Sequence, residues 1–197
     1  MRSADELVET LTEAIVYMTG NLARWSGVEV GEQHAEPQLG QARAAFEPLT
    51  AEERARIRAK LAAMAEAAAA RSDGAGWLQV LRALPSRLGL ASDDEELSGP
   101  ESDQRLVEVL VEVLVQLTGF YELCSDDVLD PDDALNQLEN VVSILDPLST
   151  KDKARVAAKV CSMLEEARAS GASKEWVAFL EGEPDGLGLL DEQESEQ

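Results

Sequence analysis

The sequence predicts an all-α protein: a tandem duplication of a helical bundle unit of about 99 residues, three longer helices and one short helix per copy, in a pseudo-twofold arrangement. Three observations carry this expectation. Laid on itself at an offset of 99 residues without gaps, the chain places LVETLTEAIVYMTG (Leu7 to Gly20) on LVEVLVEVLVQLTG (Leu106 to Gly119). From Ser3 to Leu90 the two copies share 29 identical positions, about four times what random pairing of this composition would give. Second, Leu7, Leu11, Ala14, Ile15, Met18 and Leu22 follow the spacing of one helix face. Third, proline and glycine punctuate both copies alike: Pro48, Pro85 and Gly89 fall on Pro147, Pro184 and Gly188. The period is too long for a solenoid repeat, so each copy reads as a small domain or as half of one.

Each copy resolves ambiguity in the other. Val107 to Val115 alone is rich enough in β-branched residues to suggest a strand, but the matching stretch of the first copy has the apolar spacing of a helix. Both first helices are therefore placed, at about 4–22 and 103–121. Ser3 with Glu6 has capping-box spacing, and Ser102 is the matching cap. Asp130 followed by Pro131 reads as N-cap and first helical position of the second helix, with Pro37 expected to play the same part in the first copy. These second helices are expected to end before Pro48 and Pro147. Thr50 with Glu53 forms the next capping box, and Ser149 with Asp152 a weaker one, opening third helices at about 51–71 and 150–170. A short fourth helix carries Trp77, Leu78 and Leu81, matched by Trp176, Val177 and Leu180. The Leu-Gly-Leu that follows each is expected to pack back on its bundle. The domain reading is residues 1–92 as first helical repeat, 93–101 as an acidic Gly-Pro linker, 102–190 as second repeat, and 191–197 as an acidic, disordered tail.

Charge narrows function. The chain carries 17 Lys+Arg against 39 Asp+Glu, a formal net charge of -22, which repels phosphate backbones and anionic headgroups. Nucleic acid and membrane are therefore excluded as partners, and a basic protein is favoured. The imbalance is uneven: residues 1–98 hold 10 basic and 16 acidic side chains, a net -6, and residues 99–197 hold 7 and 23, a net -16. The densest cluster is Asp126, Asp127, Asp130, Asp132 and Asp133, which the first copy lacks. It fits no EF-hand frame, because glycine and glutamate are missing from the required loop positions. It reads as helix capping and solvation, or as a docking surface for a basic partner, to which Trp25 would add an apolar patch.

Catalytic inventories fail one by one. The single histidine, His34, lies in a polar stretch and reads as an exposed loop residue. Neither a nucleophile elbow nor a P-loop is present, and no Ser or Cys triad has its imidazole. Glu9 and Glu13 recur as Glu108 and Glu112, four residues apart on one helix face, a spacing that suits a carboxylate-metal site. A ferritin-like centre would need histidines this chain lacks. Salt bridges from these glutamates to Arg56, Lys60, Arg155 and Lys159 on the third helices are the structural alternative. Cys124 and Cys161 occupy unmatched positions, so two reduced thiols are expected in a cytoplasmic protein. No secretory signal and no membrane span is read from the sequence.

Trp77 and Trp176, the aromatics retained in both copies, are expected to anchor the two cores. Val109, Val111 and Val113 replace Thr10, Thr12 and Ala14, which suggests that the second copy's first helix is covered on more sides, by the other copy or by a second chain. The functional expectation is a non-enzymatic acidic protein-binding module with no catalytic residue, metal or cofactor, acting as a cytoplasmic inhibitor or immunity-type protein for a basic partner. The alternatives are a self-associating helical scaffold or adaptor working as a homodimer, and a metal-dependent enzyme using the glutamate pairs.

Overall fold

The computed structural model describes residues 4–25, 29–70, 75–90, 102–125 and 128–190. Among them are eight helices: α1 (Ala4–Trp25), α2 (Glu29–Phe46), α3 (Ala51–Ala69), α4 (Ala75–Arg87), α5 (Ser102–Leu123), α6 (Pro131–Leu145), α7 (Thr150–Ser170) and α8 (Lys174–Gly186). The molecule is an all-α bundle, with no strand among the described residues. Ser3, the 93–101 linker and the 191–197 tail lie outside the described residues.

Helix ends follow the local chemistry of the sequence. Thr50 Oγ1 accepts from the Glu53 N–H at 3.2 Å while Glu53 Oε2 accepts from the Thr50 N–H at 2.7 Å, a complete capping box. Ser149 accepts from the Asp152 N–H in the same way, but Asp152 is one methylene shorter, and its carboxylate takes the Ser149 hydroxyl at 2.6 Å instead of the backbone N–H. Helix α7 stops at Gly171, whose φ of 70° is the left-handed cap that glycine adopts without penalty. Gly89 and Gly188, at φ 67° and 63°, turn the chain back so that Leu88, Leu90, Leu187 and Leu189 are buried.

One helix departs from expectation. Pro37 does not open α2; the helix begins eight residues earlier, at Glu29, and Pro37 lies inside it on the exposed side. The first helical position in α6 is indeed a proline, Pro131, after the Asp130 cap. In α2 the apolar residues Ala35, Leu39, Ala42 and Phe46 lie on both sides of Pro37 and are all buried, so packing of that face overrides the local helix-breaking preference. His34 accordingly sits in a helix, half-buried, and not in an exposed loop.

Helices α1 and α5 are the centre of the structure and pack on each other. Helix α1 also touches α2, α3, α4 and α6, and α5 touches α2, α6, α7 and α8. This explains why both are buried on more than one face: Val8, Thr12, Ala14 and Val16 in α1, and Val107, Val111, Val113 and Val115 in α5. The cover over the valine-rich helix therefore includes the first half of the same chain. Buried residues of both halves form one continuous hydrophobic core. Tyr121 ties the halves further by donating its hydroxyl to the Met18 carbonyl at 3.3 Å, and Asn21 donates to Gln137 Oε1 at 2.6 Å.

The tryptophans pack by a glycine device. The Trp77 ring lies so close over Gly20 of α1 that a methyl group there would overlap it, and Trp176 lies over Gly119 of α5 in the same manner. Both indoles pack on the core but are only partly buried. Tyr17 meets Trp77 with ring centroids 6.2 Å apart, and Phe179 stacks on Trp176 at 5.0 Å.

Candidate functional site

Helix α6 is amphipathic, and its two faces differ in kind. Ala134, Val141 and Leu145 are buried with Leu138 packed against the core, the i, i+4, i+7, i+11 pattern of an inward face. The outward face carries Asp132, Asp133, Asn136, Glu139 and Asn140, all exposed. Among these polar residues stands Leu135, 55% exposed, the most exposed large apolar side chain among the described residues. Asp132 and Glu139 stand three residues before and four after it, hence beside it on the helix surface. The aspartates have a structural duty as well. Asp130 caps the helix by accepting from the Asp132 N–H at 2.9 Å, and Asp132 and Asp133 in the first turn face the positive end of the helix dipole.

Of the five clustered aspartates, Asp130, Asp132 and Asp133 thus lie together at the start of α6, while Asp126 and Asp127 lie outside the described residues. Trp25 is the last residue of α1, and its side chain also lies outside the described set, as do Ser26, Gly27 and Val28. Leu135 is the residue that sequence reasoning misses. Its signal is present, since a leucine one position off the 134, 138, 141, 145 apolar spacing falls on the polar face.

One glutamate of each pair is tied to a lysine of the third helix. Glu13 pairs with Lys60 at 2.7 Å and Glu112 with Lys159 at 3.8 Å, each glutamate about two-fifths exposed. Glu108 accepts from Gln104 at 2.8 Å, and Gln104 in turn accepts from Arg155 at 2.9 Å. These contacts link α1 to α3 and α5 to α7 at the bundle surface, where each is worth less than about 1 kcal/mol. The described residues contain no group of three or more His, Cys, Asp or Glu that could hold a metal ion.

Three carboxyl groups are buried among the described residues: Glu53 and Asp152 serve the caps of α3 and α7, and Glu183 serves no cap. Glu183 in α8 is 4% exposed and accepts a hydrogen bond from the hydroxyl of Thr118, itself fully buried on α5. Desolvation, helped by the Glu122 carboxylate and opposed by the Thr118 hydrogen bond, pushes its pKa up to about 8. Burial likewise pushes the Tyr121 hydroxyl far above its ordinary value. Two open grooves also mark the surface. One of about 370 Å³ runs between α3 and α4 over Leu61, Ala65, Leu78 and Pro85, with Arg58 and Arg82 at its edges. Arg58 is held there by the Leu90 carbonyl at 2.8 Å. The other, of about 470 Å³, lies between α1 and α3 beside Glu9, Thr12, Arg56 and Lys60.

Compared with known proteins, the chain matches no family model, no curated sequence and no solved structure. Among the described residues no helix is long and apolar enough to cross a membrane.

Proposed function

We propose that the chain is a non-enzymatic acidic protein-binding module that acts as a cytoplasmic inhibitor, of the immunity-protein kind, for a basic protein. The observation that carries this reading is the outward face of α6, where the exposed Leu135 has Asp132 and Glu139 beside it. An apolar anchor within a charged rim is the usual anatomy of a binding hot spot. The rim supplies steering: a partner of opposite charge is drawn in with a gain in association rate of roughly 10 to 1,000-fold at low salt.

The chain is also, in this reading, a duplicated unit of 99 residues whose second copy specialised. Residues 99 apart in sequence hold the same posts, which supports common descent: Gly20 with Trp77 and Gly119 with Trp176, Glu13 with Lys60 and Glu112 with Lys159, Thr50 with Glu53 and Ser149 with Asp152. The α6 face is where the copies diverge. Asp132, Asp133, Leu135 and Glu139 stand where the first copy has Gln33, His34, Glu36 and Gly40. Glu36 is engaged with Arg87, whereas the apolar Leu135 can satisfy no such charge and stands exposed.

A homodimer through the same face would bring two acidic rims together, and like charges across an interface cost several kcal/mol. Of the valines that suggest a self-associating scaffold, Val111 and Val113 are buried within the chain and Val109 is partly buried against its core. Affinity capture from the source lysate at low and high salt, read by mass spectrometry, tests the proposal. A stoichiometric basic protein released by salt is the expected result, and recovery of the chain alone overturns it. Light scattering adds the second arm: a 21.3 kDa monomer is expected, and a stable dimer favours the scaffold.

A further inference from the structure

Helix α8 closes the second half of the bundle and contains an acid that the fold does not need. Glu183 is buried against α5, and the residue 99 positions earlier in α4 is Leu84, fully buried in the corresponding place. A leucine therefore suits this post. The glutamate there is met by the Thr118 hydroxyl on α5 and by no cation, since none of the ion pairs among the described residues includes Glu183. The charged group acting on it from α5 is Glu122, which carries the same sign, and on α7, the other helix packed on α8, Arg155, Lys159 and Arg168 pair with Asp152, Glu112 and Glu181. An ionised Glu183 would be a buried charge with one hydrogen bond and one repulsive neighbour, an arrangement that is costly unless the group reaches water.

The element that carries Glu183 is built to yield. Pro184, the next residue, has no N–H for the Leu180 carbonyl, so the helical ladder of α8 is broken at its last turn. That turn is held instead by Leu187 N–H to the Glu183 carbonyl at 2.9 Å and by Leu189 N–H to the Pro184 carbonyl at 2.9 Å. Its side chains Pro184, Leu187 and Leu189 are buried. Glu183 thus sits at the joint between a regular helix and a tail folded back on the core.

We infer that Glu183 and Thr118 form a pH-sensitive latch that fastens the end of α8 and its Leu187–Leu189 tail to α5 when the carboxyl is protonated and releases them when it ionises. The direction follows from linkage. The docked form holds its proton up to about pH 8, while a released, solvated Glu183 has the ordinary value of 4.5, so the docked form binds more protons between these limits. Docking is therefore strongest below pH 4.5, weakens as pH rises, and changes no further above about pH 8 on account of this group. The window spans neutrality, where a change of one pH unit alters the population of the released form.

Hydrogen exchange of the intact protein, read by mass spectrometry and corrected for intrinsic rates, tests the latch between about pH 5 and 9. The opening equilibrium of the segment 174–189 is expected to rise up to about tenfold per pH unit between about pH 5 and 8 and then level off. The segment 75–90, which carries Leu84, is the internal control and should stay flat. Glu183→Leu and Glu183→Gln should each make the 174–189 segment as insensitive to pH as the control, with protection of 75–90 reporting that the variants are folded. Thr118→Val, which removes the hydrogen bond favouring the ionised form, should move the levelling-off to higher pH. A wild-type segment 174–189 that tracks 75–90 at every pH, or a Glu183→Gln protein that keeps the tenfold slope, overturns the inference.

Discussion

Gly20 and Gly119 sit mid-helix, where glycine costs roughly 1 kcal/mol relative to alanine. Both are kept because an indole occupies the space that a methyl group would need. Substitution by alanine gains the helix propensity but displaces Trp77 or Trp176, and overpacking of this kind costs about 1–3 kcal/mol. Gly20→Ala and Gly119→Ala are therefore both expected to lower stability in urea unfolding, although an isolated helix would gain from either. Gly40 is the contrast, since a methyl group there would meet nothing within 4 Å, and Gly40→Ala should stabilise by about 0.5–1 kcal/mol. The matched Gly and Trp are visible in the sequence as identities 57 residues apart in each half of the chain. That they touch is not visible there, because no helical periodicity links residues on different helices. Glu183 is equally hidden. Read in one dimension it is one more acid in a chain with 39, and only its burial away from any helix cap separates it from the others.

Helix boundaries are the most legible feature, because they are written in short-range chemistry. Thr50 with Glu53, Asp130 with Pro131, and Gly171 each fix a terminus where the residue types demand it. Helix α2 defies its sequence for the complementary reason: Pro37 is a strong local signal, and the buried face of Ala35, Leu39, Ala42 and Phe46 that outweighs it is a tertiary one. That conflict leaves α2 with a weak middle. Pro37→Ala restores an N–H to the ladder at an exposed site and is expected to stabilise the protein by about 1–3 kcal/mol, with a gain in far-ultraviolet helical signal. A loss of stability on this substitution would mean that the proline itself is needed to seat the apolar face. The outward face of α6 is half legible: the aspartates stand out as a cluster, while Leu135 emerges only once the inward stripe is known.

The two halves share one core, and this governs how the whole molecule responds. Each half, of about 100 residues, has the length of a self-sufficient domain, yet α1 and α5 bury against each other and make that independence unnecessary. Unfolding by urea should consequently be a single transition, with tryptophan fluorescence and helical circular dichroism coincident. Two separated transitions would show that the contact between α1 and α5 is weaker than the packing within each half. Net charge acts at the same scale. The sequence locates most of it in the second half, and the structure brings part of it onto one helix beside an exposed leucine, the feature on which the binding proposal stands. The most direct test of that proposal is to repeat the low-salt affinity capture with wild type and with an Asp132→Asn, Asp133→Asn, Leu135→Ala protein side by side, and to measure the dissociation constant of whatever basic protein the wild type retains. Removing the exposed leucine and two of the clustered acidic charges should weaken binding by at least about tenfold and flatten its dependence on salt. A basic partner held equally well by both proteins would contradict the assignment of the α6 face, and the absence of any basic partner would contradict the function itself.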